Sequence, residues 1–171
     1  MEIEKLCKIK YKPKYKNILI YFCNKSIELN KGKVDLAKKI LYSLTTVVSV
    51  KMDDIRRQGY KSWNEWESDK NNVYIGRGNV YRAKINGKYV PIPSKSSKWA
   101  NPYKISDKMS RDEVLTKYKE YIIKKIKEDP KKYNIEELRG KNLGCWCKTF
   151  KNPQSCHGDI LKELIKSITS F

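Results

Sequence analysis

Apolar positions along this chain change period several times, and each change marks an element. The first dozen residues alternate lysine with apolar or aromatic side chains, as an edge strand or a basic arm would. NILIYFCN (17–24) is a continuous apolar run and reads as a buried strand. Val34, Leu36, Ala37, Ile40 and Leu41 then recur at helical spacing, and the β-branched TTVVSV (45–50) predicts a strand. DDIRRQGYKSWNEWESD (53–69) predicts one helix opened by Asp53 or Asp54 and weakened by Gly59, with Ile55, Trp63 and Trp66 on its apolar side. NVYIG (72–76) is a further strand.

Beyond it, NVYRAKINGKYVPIP predicts a hairpin over 79–92, because Asn86-Gly87 suits a tight turn that needs positive φ. SKSSKWANPYKI (94–105) is a polar loop with one Trp. The segment SRDEVLTKYKEYIIKKIKEDP carries the clearest helix: Ser110 and Glu113 fit a capping box, Val114, Tyr118, Tyr121, Ile122 and Ile126 share a face, and Asp129-Pro130 stops it. YNIEELRG is a short helical turn ending at Gly140, KNLGCWC a short strand, and DILKELIKSI (159–168) a closing amphipathic helix. Strands alternating with helices predict an α/β fold, a mostly parallel sheet flanked by helices with an inserted β-hairpin. A soft boundary near Asp69-Lys70-Asn71 divides a basic α/β extension (1–70) from a C-terminal module (71–171).

Composition adds a charge problem. The 171 residues hold 38 Lys and Arg against 19 acidic residues, a net charge of +19. Such an excess repels itself unless a polyanion or salt screens it, which makes nucleic acid, DNA or RNA, the expected partner. AT-rich coding accounts for part of the lysine content but not for the shortage of acids. No apolar run reaches the length of about 18 residues that a membrane helix needs, so no membrane partner is expected. The N-terminus lacks the basic-then-apolar order of a signal peptide. An intracellular, reducing compartment, cytoplasm or nucleus, is therefore expected, where cysteine serves metal binding or thiol chemistry rather than disulfides.

Three of the five cysteines and the sole histidine fall in LGCWCKTFKNPQSCHGD (143–159). If LGCWC is extended, Cys145 and Cys147 share one face, and Gly144 and Trp146 take the other. Cys156 and His157 sit where the chain enters the last helix. Cys145, Cys147, Cys156 and His157 together satisfy the tetrahedral donor set of zinc, although the spacing is not that of a zinc knuckle. A second reading makes the site a functional thiol: the helix dipole lowers the pKa of Cys156, His157 shares its proton, and Asp159 serves as base, leaving Cys156, His157 and Asp159 as catalytic candidates. The same helix start would offer free N–H groups to a phosphate. In the third, the cysteines line a core strand and His157 is a turn residue.

Two other stretches hold candidate ligand-binding groups. Gly76, Arg77 and Gly78 follow a strand, where glycines admit a close backbone approach and Arg77 forks onto phosphate or carboxylate. This is no GxGxxG, and no helix follows, so a Rossmann site is disfavoured. A plain bulge or turn is the alternative. SKWANPY brings Lys98, Trp99 and Asn101 onto one loop, a cation, a stacking ring and an amide suited to a nucleotide or strand. Equally, Trp99 would anchor a long loop and Asn-Pro make a turn.

VYIGRG, SKWANPY, the helix from SRDEVLTKYKEYI, ELRGKNLGCWC and CHGDIL, in that order, resemble the domain of unknown function 4326 family over about residues 72–168. The resemblance implies that the glycine-arginine stretch, the Lys-Trp loop and the Cys/His cluster form one module; it implies no activity. The chain departs from the family pattern in the hairpin at 79–92, the longer stretch KTFKNPQS between Cys147 and Cys156, and Ala100 in place of glycine. The leading functional expectation is a small basic protein that binds nucleic acid, with a metal-stabilised Cys/His site, in which Trp99 and exposed tyrosines stack on unpaired bases. The alternatives are an enzyme acting on a nucleotide, nucleoside or modified base, and a structural component of a nucleoprotein assembly.

Overall fold

The computed structural model describes residues 40–85, 87–151 and 154–167. The basic arm, the run at 17–24, Cys7 and Cys23 lie outside the described residues. Residues 40–44 are helical and lead into strand β1 (Thr46–Ser49). Helices α1 (Met52–Arg57) and α2 (Trp63–Ser68) follow, then β2 (Asn72–Tyr74), the pair β3 (Tyr81–Ile85) and β4 (Lys88–Ile92), and α3 (Arg111–Glu128). A 3-10 turn (Ile135–Leu138) leads to β5 (Asn142–Cys145), and α4 (His157–Ser167) closes the described chain.

The sheet has the order β1-β5-β2, with both pairings parallel and β5 in the centre. The hairpin forms its own antiparallel two-stranded sheet, Ala83 opposite Val90. The α/β expectation, a parallel sheet with an inserted hairpin, is what the fold shows. Strand β1, which precedes residue 70, pairs with β5 over four residues and so shares a sheet with β2 and β5.

Alternation along β5 sorts the molecule into two cores. Leu143 and Cys145 face one side, where Tyr118 and Ile122 of α3 and Leu161 and Ile165 of α4 bury them. A Cβ on Gly144 would point the other way, into Trp66 and Val50, where α1, α2 and the hairpin cover the sheet with Ile55, Trp63 and Ile92. Trp146 lies on that side as well. This is the period-two geometry that LGCWC predicts.

The expected long helix at 53–69 is instead two helices. Gly59 adopts φ of +96°, a left-handed conformation that ends α1, and Ser62 then caps α2 by accepting from the Glu65 N–H. The turn still keeps Ile55, Trp63 and Trp66 on the buried side. The capping box of α3 is formed as predicted, Ser110 and Glu113 each satisfying the other's backbone N–H. No helix among the described residues is long and apolar enough to cross a membrane.

Candidate metal centre and its cavity

The carboxyl ends of parallel strands are where an open α/β sheet leaves room for a ligand. Here β5 ends at Cys145 and β2 runs out through Ile75, Gly76 and Arg77. Helix α4 begins against these ends, and it sits very close. A Cβ on Gly158 would lie 2.7 Å from Val47 and 2.9 Å from Ile75, so only glycine lets the helix start approach the sheet. That approach drives His157 into the gap between β2 and β5.

His157 is buried, and its environment fixes its protonation. Nε2 lies 2.8 Å from the Ile75 carbonyl oxygen, which can only accept, so Nε2 carries the proton. Nδ1 is left as a lone pair, 3.6 Å from the Cys145 sulfur and 3.8 Å from the Cys147 sulfur. Burial pulls the imidazole pKa down and keeps the ring neutral. The Tyr118 ring packs edge-on against it at 5.2 Å. A carbonyl holding the far nitrogen while the near one faces two thiols is the outer support a metal-bound histidine has.

The two sulfurs and Nδ1 all lie within 4.8 Å of one another, so Cys145, Cys147 and His157 could hold a metal ion. The fourth expected ligand, Cys156, stands outside that trio. Its sulfur interacts with the other two thiols and accepts the Gly158 N–H at 3.3 Å. Cysteine sulfur and imidazole nitrogen form the donor set of zinc, and three protein ligands leave a fourth position open.

Charge in the cluster settles on Cys147. Hydrogen bonds from Cys145 and Cys156, with the field of Arg111 and Arg77, lower its pKa to about 3 against the cost of burial. The Cys145 thiol is pushed up, first by its bond to Cys147. At Cys156 the bond with Cys145 pulls downward, but the bond with Cys147 and burial outweigh it, and the pKa rises. The helix-start cysteine is therefore not the acidic thiol expected from its position; Cys147, the exposed one of the three, is.

The start of α4 also has several of its donors in use. Asp159 accepts the Cys156 N–H at 2.8 Å and pairs with Lys148 at 2.6 Å. With the Gly158 N–H on the Cys156 sulfur, those two groups are not free for a phosphate. Asp159 thus ties the loop after Cys147 to the helix and stands beside the cluster as a support.

The trio forms part of the wall of a cavity of about 380 Å³, within the range of small-molecule sites. Gly76, Arg77 and Asn101 line it, as does Cys156. Asn101 is buried, and its Oδ1 accepts the Tyr103 N–H, shaping the loop there. Gly78 is not on the wall: its N–H donates to Ser96, and a Cβ would run into the Lys95 backbone, so it packs one loop on another.

Lys98 and Trp99 face elsewhere. Trp99 is 1% exposed, donates through Nε1 to Glu137 at 2.8 Å, and packs edge-on against Tyr133. Its ring cannot stack on a base. Lys98 bonds the Lys132 carbonyl and Glu137. The loop instead holds the site together: the Trp99 carbonyl accepts from Tyr118, whose ring touches His157.

Sequence reasoning missed Arg111, Lys104, Val80 and Ile105 on the cavity wall. Arg111 opens α3 and donates to the Ser155 carbonyl at 3.1 Å, a contact across 44 positions that no local pattern announces.

Residues 58–167 match the family described as "Domain of unknown function (DUF4326)", a start earlier than the resemblance at 72. An uncharacterized protein of Acanthamoeba polyphaga mimivirus is 34% identical over 103 residues, covering 58% of this chain and 70% of the viral protein. An uncharacterized 12.4 kDa protein of the nrdA-td intergenic region of Enterobacteria phage T4 is 37% identical over 71 residues, 41% of this chain and 61% of the phage protein. No solved structure matches the chain significantly.

Proposed function

The chain belongs to the domain of unknown function 4326 family, and for this module we propose a zinc-dependent enzyme that acts on a small molecule of the nucleotide, nucleoside or modified-base class. The carrying observation is the convergence of Cys145, Cys147 and His157 on a cavity wall, with ligand atoms within 4.8 Å of one another. A structural zinc site is closed by four protein ligands, whereas three ligands beside a cavity leave one position for water or substrate. Zinc held there supplies Lewis acidity and lowers the pKa of a bound water to about 7.

The chain's own residues supply the rest. The Ile75 carbonyl orients the imidazole and fixes its tautomer. Tyr118 and the Trp99 loop brace it from the core side. The polar wall at Arg77 and Asn101 orients a ligand, while Val80 and Ile105, 43% and 54% exposed, offer it an apolar edge. Cys156 contributes hydrogen bonding to the thiolate rather than a ligand atom.

Incubating zinc-reconstituted protein with a panel of nucleotides, nucleosides and modified bases tests this. Turnover of one class is expected, lost on chelation and lost in Cys147→Ser. A panel untouched by zinc-loaded protein would overturn the enzyme reading. A second reading, binding to a nucleic acid, is supported by the net charge of +19 alone.

A further inference from the structure

The cavity has a charge pattern that the metal centre does not use. Three cations line it, Arg77, Lys104 and Arg111, and no carboxylate does. Among the described residues, the Arg77 and Lys104 side chains make no hydrogen bond or ion pair. Arg111 spends one N–H on the Ser155 carbonyl, and a guanidinium has five. Zinc with two thiolates and a neutral imidazole is itself uncharged, so the three cations remain uncompensated beside it.

Arg77 and Arg111 line the same cavity as Cys147, so an anion held by them would share that cavity with the proposed open coordination position. Planar forks of donors match a tetrahedral oxyanion with several acceptor oxygens better than a single point charge does. Val80 and Ile105 sit exposed on the same wall, beside Tyr103. An anionic head and a flat apolar body are thus both provided for.

We propose that Arg77 and Arg111 form a phosphate subsite, so that the ligand of this cavity is a phosphate monoester, a nucleoside monophosphate rather than a nucleoside or free base. This rests on the small-molecule reading above and narrows its substrate class. Arg77 is the element to test, because it is exposed and has no structural partner that its loss would strand.

Calorimetric titration of zinc-loaded protein at fixed ionic strength, with nucleoside 5′-monophosphates, the matching nucleosides and inorganic phosphate, tests the subsite. A monophosphate should bind at least about tenfold more tightly than its nucleoside, as a charge-assisted pair to a guanidinium implies. Arg77→Gln should remove most of that difference with zinc content unchanged. Equal binding of nucleoside and monophosphate, or a preference that Arg77→Gln leaves intact, would overturn the subsite. Inorganic phosphate binding as tightly as the monophosphate would overturn the nucleotide assignment. If the protein takes up no stoichiometric zinc yet keeps the arginine-dependent preference, the subsite stands and the metal reading alone fails.

Discussion

His157 shows how single residues make this site. Its Nε2 is committed to a backbone carbonyl, its ring is wedged by Tyr118, and only Nδ1 is left to face the two thiols. Cys145→Ser, Cys147→Ser and His157→Asn should each abolish stoichiometric zinc binding, measured by elemental analysis of the purified variants. Cys156→Ser should keep the ion with affinity reduced by no more than the roughly 10–100-fold typical of an outer contact. Protons compete with zinc for sulfur and nitrogen, so the same assay across pH should show the ion held at neutral pH and released on acidification. At this scale the sequence was partly legible. Alternation placed Leu143 and Cys145 opposite Gly144 correctly, whereas Cys147 lies in a bend past the end of β5 and reaches the same site from there. Of the two readings of Trp99, the loop anchor holds and the stacking ring does not: a polar loop suggests exposure, but Glu137, 38 positions on, holds the ring in the core. Arg111 was invisible for the same reason, its partner Ser155 being set by tertiary folding.

Between elements, two close approaches decide where the site lies. Gly144 lets Trp66 of α2 press on the back of β5, and Gly158 lets α4 press on Val47 of β1 and on Ile75 just past the end of β2. Gly144→Ala would force Trp66 and Val50 apart and should cost about 1–3 kcal/mol as an overpacked core, read from denaturant unfolding. A polar link also ties the two ends of α2: the Tyr60 hydroxyl donates to Asp69 at 2.7 Å. Burial and that bond raise the Tyr60 pKa from 10.0 to about 12, so the neutral hydroxyl favours the fold. Its contribution is present in full below pH 10 and is lost as the pH rises towards 12. Unfolding curves taken through this range should show Tyr60→Phe losing less stability with rising pH than the wild type; parallel losses would contradict the assignment. Periodicity recovered the strands and α3 because caps and alternation are local signals. The break at Gly59 was only half legible: glycine weakens a helix, but nothing local distinguishes a weakened helix from two helices at an angle.

Across the whole molecule, charge and geometry make separate statements. The net charge of +19 is a property of composition, whereas the cations of the cavity are placed by fold. If the lysine excess serves a nucleic acid, the logarithm of affinity should fall linearly with the logarithm of salt concentration, with one slope for unrelated sequences. An affinity indifferent to salt would leave the charge without that partner. Order α/β with a parallel sheet was legible from alternating elements. The placement of β5 between β1 and β2 was not, because strand order depends on crossovers rather than on any one segment. That central position matters most, since it brings the end of LGCWC against the start of α4 and so assembles cysteines and histidine. The most direct test is X-ray absorption at the zinc edge of reconstituted protein. Two sulfurs at about 2.3 Å, one nitrogen at about 2.0–2.1 Å and one further light atom are expected. A shell of three sulfurs and one nitrogen would close the site with Cys156, and an ion that fails to bind at all would remove the centre; either result contradicts the account.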